Sequence, residues 1–471
     1  MKAALCLATV LMATPVWAQT SPSPELNAAL ARTPNAAKAK NIILFIGDGM
    51  GINSVTAGRI MAGQARGQDG ASYRLTFETL PYSAFSKTYS ADKFVTDSAN
   101  GISAITTGVK TINGAIGVGA NVTSKTCAPK AAHIPTIAEQ AKRLGKSAGV
   151  VTTSGVTDAT PAGAYGHTST RGWRSDAELP ADAAKAGCID MARQLVEAPD
   201  AVRMDVVLGG DLARFKTVAD GGKRKDKDLT QAWAAQKGAK VVTSKTALNA
   251  VDPKTTSKLL GLFAEGDLPS VVDHKNQTET PNLADMTSKA IEVLSNDPDG
   301  FFLLVESAAI DKWHHQNNAY RALTDVDELD KALQVALSKT DARDTLIIVT
   351  ADHSHGLTQS AGSTREEPIM GLARNRGVNE PDKNGKGRTV LAYASGPSAL
   401  EPHDHDLTQD EALSPDFKQP TLVPLSSAQH TGEDVPVYAS GPQAYLITGT
   451  VESTFLFEVM NYAIAGLTPP R

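Results

Sequence analysis

The sequence has 471 residues, of which 41% are hydrophobic and 21% are charged. This composition excludes intrinsic disorder as a description of the whole chain, because enough apolar surface is available to bury a core. The formal net charge of -5 offers no general basic surface, so we expect no nucleic-acid partner.

Residues 1–18 have the pattern of a secretory signal peptide. Lys2 precedes an apolar run from Ala3 to Val16, and small residues at Val16 and Ala18 form a cleavage signal. The run is shorter than the ~20 residues that span a bilayer, and the C-terminus lacks the apolar tail of a lipid-anchor signal. We expect cleavage after Ala18 and a periplasmic or secreted protein without a membrane anchor. A buried or transmembrane helix is the alternative.

Two cysteines, Cys127 and Cys188, remain in the expected mature chain, because Cys6 lies in the signal peptide. An oxidising compartment would join them, and the closed loop would stabilise the fold by ~4 kcal/mol in the chain-entropy model. Two free thiols are the alternative.

Residues 19–39 lack periodicity and predict a flexible segment, so a single domain is expected over residues 40–471. Short apolar runs predict buried strands, and the patterns between them predict helices. The predicted strands are residues 41–46, 147–153, 301–305 and 345–350, and the predicted helices are residues 133–144, 284–294 and 323–337. Strands that alternate with helices are typical of a parallel, doubly wound sheet. We therefore predict an α/β fold, a three-layer α/β/α sandwich.

Two stretches depart from this alternation. Residues 216–228 are rich in Lys, Asp and Gly and predict a solvated loop, with an anion-binding patch as the alternative. Residues 360–428 are rich in Pro, Gly, Asp and Glu and predict an insertion, or lid, over one end of the sheet.

Acidic residues and a histidine follow three of the predicted strands. Asp48, Glu306 and the pair Asp352-His353 come directly after, or close after, strands 41–46, 301–305 and 345–350. Ligands of an open parallel sheet bind at the carboxyl ends of its strands, so we expect one shared polar site. A helix cap is the alternative for Asp48 taken alone.

Asp311 and His315 are four residues apart in Ile-Asp-Lys-Trp-His-His. This spacing places a carboxylate and an imidazole on one helix face, where both can bind one zinc ion. His430 is a further candidate nitrogen ligand. Five other histidines are expected to pack or to bond to the backbone: His133, His167, His274, His314 and His355. The run from His403 to His405 predicts a solvated loop, with a cation site as the alternative.

Ser98 lies at the expected start of a helix that runs through Ala104 and Ile105. It is either an N-cap or a nucleophile at a helix N-terminus, which is also an anion site. Because no histidine is near it in the sequence, we expect a metal ion to activate its hydroxyl.

Eight motifs occur in the order typical of one enzyme family. They are Asp48-Gly-Met-Gly, Thr96-Asp-Ser-Ala, Asp158-Ala-Thr-Pro, His167-Thr-Ser-Thr-Arg171, Val305-Glu306, Asp311-Lys-Trp-His-His, Thr350-Ala-Asp-His and His430-Thr-Gly. Together they resemble the alkaline phosphatase family over most of the mature chain. The positions of Cys127 and Cys188 are also similar to the disulfide of its animal members.

The resemblance implies a site with two zinc ions and one magnesium ion. One zinc would bind Asp311, His315 and His430, and the other Asp48, Asp352 and His353 beside Ser98. Magnesium would bind Asp48, Thr160 and Glu306. Arg171 would clamp the phosphate and Asp97 would hold Arg171. Asp158 and Lys312 would form a pair that resembles the bacterial type.

The resemblance also implies the reaction: hydrolysis of phosphate monoesters to an alcohol and inorganic phosphate through a phosphoserine. A homodimer is implied as well. The competing hypotheses are a phosphodiesterase or sulfatase with the same metal plan and a protein that only binds metal or phosphate. No catalytic position is broken, which argues against the second.

Overall fold

The computed structural model describes residues 23–399 and 405–466. The predicted signal peptide and most of the His403 to His405 run lie outside the described residues. Residues 23–34 belong to a separate unit that contains helix α1 (Pro24–Leu30). Ser23 caps this helix, because its Oγ accepts a hydrogen bond from the backbone N of Leu26 at 3.1 Å. A short helix therefore lies in the segment that the sequence predicted to be flexible.

The remaining described residues alternate strands and helices. The strands are β1 (Asn41–Gly47), β2 (Tyr82–Lys87), β3 (Ser147–Gly155), β4 (Val206–Gly210), β5 (Ala239–Val242), β6 (Lys258–Leu262), β7 (Phe301–Ser307), β8 (Thr345–Thr350), β9 (Leu357–Gln359), β10 (Arg374–Asn375), β11 (Val378–Asn379), β12 (Leu391–Gly396), β13 (Thr421–Pro424), β14 (Val435–Ser440) and β15 (Gly449–Glu452). The helices are α2 (Ile52–Ala65), α3 (Ser98–Thr107), α4 (Ile137–Arg143), α5 (Ala159–Ala162), α6 (Ala181–Lys185), α7 (Met191–Glu197), α8 (Leu212–Phe215), α9 (Leu229–Ala234), α10 (Lys245–Asn249), α11 (Leu283–Leu294), α12 (Ala309–His315), α13 (Ala319–Lys339), α14 (Gln409–Ala412) and α15 (Ser453–Ala465). Short 3-10 helices span Thr76–Thr79, Lys130–Ala132, Val218–Asp220, Val271–Asn276, Pro397–Ala399 and Ala444–Leu446.

The main sheet has the strand order β15-β2-β14-β8-β1-β7-β3-β4-β6-β5. The four predicted strands are the neighbours β8, β1, β7 and β3 at its centre, and all three pairings among them are parallel. Among the ladders that the described residues form in this main sheet, only those of β14 are antiparallel, with β8 on one side and β2 on the other. The sheet is therefore mostly parallel, and the predicted fold class is confirmed.

Helices cover both faces of this sheet, because successive side chains of each strand point to opposite sides. On β1, Ile42 and Leu44 pack in one core with residues of α3, α4 and α15. Ile43 and Phe45 pack in a second core with residues of α2, α11 and α13. Burial on both faces explains why the central strands are rich in apolar and β-branched residues instead of alternating apolar with polar ones.

The predicted insertion, residues 360–428, contains regular structure that its sequence did not indicate. Strands β12 and β13 form a small sheet of order β13-β12-β9 with β9, which directly precedes the insertion, and β10 and β11 form an antiparallel pair. A third apolar cluster joins Leu391 and Tyr393 of β12 to Ala57 of α2 and Leu323 of α13. The small sheet is thus packed against the helices on one face of the main sheet.

Two local expectations are met with differences. Helix α4 begins at Ile137, later than predicted, because Thr136 and Glu139 form a capping box that fixes its start. Residues 216–228 are mostly exposed, but Arg224 is fully buried, and its Nη1 donates to Asp190 Oδ1 at 2.9 Å. Burial of this cation is possible because Asp190 compensates its charge.

The structure joins Cys127 and Cys188 in a disulfide, and their Cα atoms are 5.3 Å apart. This separation lies in the usual range for a disulfide. No helix among residues 23–399 and 405–466 combines the length and the apolar character needed to cross a bilayer.

Asp325 of α13 is a buried carboxyl that makes folding dependent on pH. Ser270 Oγ donates to its Oδ2 at 2.6 Å and the backbone N of Val271 donates to its Oδ1 at 3.4 Å. Burial raises the pKa of Asp325 to about 7, and the nearby carboxyls of Glu328 and Asp273 add to the shift. The ordinary pKa is 3.8, so between about pH 4 and about pH 7 the folded chain holds a proton on this carboxyl that the unfolded chain has already released.

We therefore expect the free energy of unfolding to fall as pH rises through this window, and Asp325→Asn to remove that part of the decline. The measurement is urea unfolding of both proteins at about pH 5 and about pH 8. The gain in stability from Asp325→Asn should be larger at the higher pH. Asp273→Asn, which removes an outer carboxyl of the same group, is the control. An equal gain in stability from Asp325→Asn at both pH values would contradict the assignment.

Candidate active site

The carboxyl ends of the central strands bring the predicted site residues together. Asp48 follows β1, Glu306 lies near the end of β7, and Asp352 and His353 follow β8. All four side chains are buried. Ser98 reaches the same edge of the sheet as the first residue of α3, and Gly49 N donates to Asp352 Oδ1 at 3.2 Å. The carboxyl ends of three adjacent parallel strands thus form one crevice, as the sequence predicted.

Three histidines direct Nε2 of their rings into this crevice, while Nδ1 contacts the backbone. Nδ1 of each ring faces a backbone carbonyl oxygen: Ala428 O at 2.7 Å from His315, Thr96 O at 3.1 Å from His430, and Ser354 O at 3.2 Å from His353. A carbonyl oxygen only accepts, so chemistry assigns the proton to Nδ1 of each neutral ring and a lone pair to its Nε2. These rings are therefore oriented as ligands of a cation, since such backbone contacts commonly fix the tautomer of metal-binding histidines.

The Nε2 atoms face one another and the carboxylates. His430 Nε2 lies 3.3 Å from His315 Nε2 and 3.4 Å from Asp311 Oδ1. His353 Nε2 lies 3.2 Å from Asp48 Oδ1 and 3.4 Å from Asp352 Oδ2. Lone pairs and anionic oxygens repel one another at these distances unless a proton or a metal ion lies between them. The structure thus brings Asp311, His315 and His430 into one group, which also contains His355. Asp48, Asp311 and His353 form an adjoining group, and Asp352 contacts it through His353.

Unpaired oxygens support a cation site. Asp48 Oδ1, Asp311 Oδ1 and Asp352 Oδ2 are buried and have no hydrogen-bond partner. Burial raises the pKa of Asp352 well above its usual range, and the Asp48 carboxylate adds to the shift. A buried carboxylate without a partner is costly, and a bound cation is one way to compensate it.

Glu306 and Thr160 lie at the β3 side of Asp48. The hydroxyls of Thr152 and Ser154 donate to Glu306 Oε2, the latter at 3.3 Å, and Thr160 Oγ1 donates to Asp48 Oδ2 at 3.4 Å. Burial, with the Asp48 charge, raises the pKa of Glu306 well above its usual range. The group offers only oxygen ligands, which hard cations such as Mg²⁺ prefer.

Ser98 begins α3 but does not cap it. The cap is Asp97, whose Oδ1 accepts a hydrogen bond from the backbone N of Asn100 at 3.1 Å. The Ser98 hydroxyl therefore remains available, and its Oγ lies 3.2 Å from His353 Nε2. A histidine is thus close to Ser98 in space, although none is close in sequence.

Arg171 lies beside Ser98's helix and between two carboxylates. Its Nη1 donates to Asp97 Oδ2 at 3.4 Å and its Nη2 to Asp158 Oδ1 at 3.2 Å. Lys312 Nζ donates to Asp158 Oδ2 at 2.8 Å. The Arg171 side chain remains 33% exposed, so its guanidinium is accessible to a ligand while Asp97 and Asp158 hold it.

His355 belongs to this cluster, although the sequence analysis expected it to pack or bond to the backbone. Its Nε2 lies 2.9 Å from Asp311 Oδ1, and neither ring nitrogen has a partner with hydrogen-bond geometry. Burial lowers the pKa of His355 to about 4, so the ring is neutral. Its position two residues after His353 in Asp-His-Ser-His was the available signal.

Three other histidines, His314, His133 and His167, use their rings for local bonding or stacking. His314 lies 2.9 Å from Ser54 Oγ through Nε2 and 2.7 Å from Tyr393 Oη through Nδ1. The rings of His133 and His167 stack with their centroids 4.8 Å apart. Packing and local bonding, as the sequence predicted, account for these three.

Comparison with known proteins identifies the family of this chain. The family model described as alkaline phosphatase matches residues 39–466. The tissue-nonspecific alkaline phosphatase of Gallus gallus is 40% identical over 445 residues, 90% of this chain and 84% of that protein. The alkaline phosphatase of Gadus morhua is 38% identical over 467 residues, 95% of each. The crystal structure of Thermus thermophilus alkaline phosphatase matches with a TM-score of 0.68 and 25% identity, over 95% of this chain and 96% of that one.

The doubly wound fold and the buried cluster of carboxylates and imidazoles define an enzyme with metal-binding groups. The chain belongs to the alkaline phosphatase family, and it is a phosphoric monoester hydrolase. The family resemblance of the motifs is thereby confirmed.

Proposed function

We propose that this enzyme hydrolyses phosphate monoesters through a phosphoserine on Ser98, at a site of two zinc ions and one magnesium ion. The observation that carries the proposal is the convergence of Nε2 lone pairs and unpaired carboxylate oxygens beside the free Ser98 hydroxyl. Zinc is the cation that such mixed nitrogen and carboxylate sets favour. Catalytic zinc also needs open coordination positions, and three protein ligands for each ion leave them.

The ligands divide into three sets. Asp311, His315 and His430 would hold one zinc ion, and Asp48, Asp352 and His353 the other. Asp48, Thr160 and Glu306 would hold magnesium, since they supply oxygen atoms only. His355 would orient Asp311, because its ring contacts the same carboxylate oxygen that faces His430.

The chain's own residues divide the reaction between them. The Ser98 oxygen attacks phosphorus, the ester oxygen leaves, and water then attacks the phosphoserine to release inorganic phosphate. When bound, the metal ions stabilise the attacking and leaving oxygens and make a serine alkoxide available near neutral pH. Arg171 binds two phosphate oxygens through its planar fork, and Asp97 and Asp158 keep the guanidinium in place.

The wider assignment follows from the same resemblance. We propose residues 40–471 as one catalytic domain with an insertion at about 360–428, exported after cleavage of residues 1–18 and assembled as a homodimer. The Cys127–Cys188 disulfide supports an oxidising destination, the periplasm or the exterior.

Release of phosphate from an aryl phosphate monoester tests the proposal. The protein is assayed at mildly alkaline pH, with chelator and after zinc and magnesium are restored. Release that chelator stops and both metals restore supports the proposed site. Faster release from a matched diester or sulfate ester would favour the phosphodiesterase or sulfatase hypothesis, and no turnover by metal-loaded protein would leave only a binding role.

A further inference from the structure

Arg174 extends the ion pairs around Arg171 to a second buried carboxylate. Its Nη2 donates to Asp211 Oδ2 at 2.9 Å, and its Nε donates to Thr157 Oγ1 at 3.1 Å. Its Nη1 lies 3.7 Å from Asp158 Oδ2. One guanidinium thus contacts both Asp211 and Asp158, and its side chain is only 16% exposed.

Asp211 is a fixed anchor for this contact. It directly follows β4, at the same edge of the sheet as the catalytic site, with a backbone φ of 80°. Thr157 N donates to its Oδ2 at 3.1 Å, and Arg214 Nη1 donates to its Oδ1 at 2.6 Å. Gly155 makes room for the carboxylate, since a Cβ there would lie 2.2 Å from it. Thr157 and Arg214 therefore hold the Asp211 side chain in place independently of Arg174.

Asp158 is shared among three cations. Lys312 Nζ lies 2.8 Å away, Arg171 Nη2 lies 3.2 Å away, and Arg174 Nη1 lies 3.7 Å away. Coulomb energies of separate pairs add, so the positive charge of Arg174 offsets part of the Asp158 charge as it acts on a ligand beside Arg171. Arg174 thereby raises the net positive potential that an incoming phosphate meets beside Arg171 and Lys312, and its contacts with Asp158 and Asp211 also link Asp158 to the end of β4.

We propose that Arg174 is a positioning residue that raises the affinity of the site for phosphate by acting through Asp158. The inference rests on the proposed function, because it takes Arg171 as the phosphate clamp. Arg174 itself contacts neither Ser98 nor the cluster of carboxylates and imidazoles. Its effect therefore falls on the binding of phosphate and phosphate esters.

Arg174→Gln should raise the dissociation constant of inorganic phosphate about five- to tenfold, as expected for one cation lost near the ligand in a partly buried site. KM for the aryl ester should rise with it, while kcat is not reduced. Calorimetric titration of the zinc- and magnesium-loaded protein with inorganic phosphate gives the first quantity, and steady-state assays give the others. Arg174→Lys should recover part of the affinity, because it keeps the charge but cannot contact both carboxylates through a fork.

Arg214→Gln is the matched control. Arg214 binds Asp211 and Glu178 but contacts no oxygen of Asp158. Its loss should lower stability and leave the phosphate dissociation constant unchanged. An equal rise in that constant for both variants would overturn the inference, since the effect would then come from disturbance of the Asp211 site.

If Arg174→Gln alone folds poorly, it is combined with Asp211→Asn. The double variant removes a cation and its anion together, so neither of the two stays buried without the other. The double variant should fold and still bind phosphate weakly. No turnover of the aryl ester by metal-loaded wild-type protein contradicts the proposed function, whereas equal phosphate affinity of wild type and Arg174→Gln contradicts this inference. Failure of the wild type to bind phosphate at all contradicts both.

Discussion

Replacing Ser98 with alanine is expected to abolish turnover and the formation of a phosphoenzyme. The hydroxyl lies at the N-terminus of α3, 3.2 Å from His353 Nε2, and it is the group from which a covalent intermediate would form. Loss of a nucleophile lowers kcat by at least about four orders of magnitude in comparable cases. Acid quenching with labelled substrate detects the phosphoenzyme, and elemental analysis should show an unchanged metal content.

Ser103→Ala is a control within the same helix. Ser103 Oγ donates to the carbonyl of Ala99 at 2.6 Å and accepts from Gly117 N at 3.0 Å, so its loss removes a buried hydroxyl of the same kind. It should cost about 1 kcal/mol of stability and leave turnover intact. A phosphoenzyme that persists in Ser98→Ala would show that another residue is the nucleophile.

The centre of the fold was predictable because its signal is local. Strands β8, β1, β7 and β3 are covered by helices on both faces, so their sequences are rich in apolar and β-branched residues. The outer strands carry a weaker signal. β2 alternates buried and exposed residues over only six positions, and its place beside β14 depends on pairing with a segment far along the chain.

The site was predictable to the extent that strand ends and helical spacing determine it. Asp48, Asp352 and His353 converge because parallel strands end at one edge, and Asp311 and His315 share a helix face. The contact between Arg174 and Asp211 has no such signal, because it joins two loops from separate parts of the chain. His355 has a sequence signal only in its closeness to His353, and its contact with Asp311 depends on how α12 packs.

The strongest effect on metal binding is expected from Asp48→Asn. Asp48 lies between two groups of ligands: His353 Nε2 is 3.2 Å from its Oδ1, and Thr160 Oγ1 is 3.4 Å from its Oδ2. A neutral amide offers a single acceptor oxygen where a carboxylate offers two anionic ones. The variant should therefore lose one zinc ion and the magnesium ion, and kcat/KM should fall by at least about 100-fold, the upper effect reported for groups that only support a metal ligand.

Metal content measured by elemental analysis after dialysis, together with turnover at increasing zinc and magnesium, checks this expectation. Asp325→Asn is the matched control, because it also removes a buried carboxylate, whose partners are Ser270 and Val271. It should retain the metal content of the wild type. If Asp48→Asn keeps all its metal and its activity, Asp48 does not bridge the two groups. The unpaired Oδ1 of Asp48 would then need another partner, because a buried anionic oxygen without one is costly.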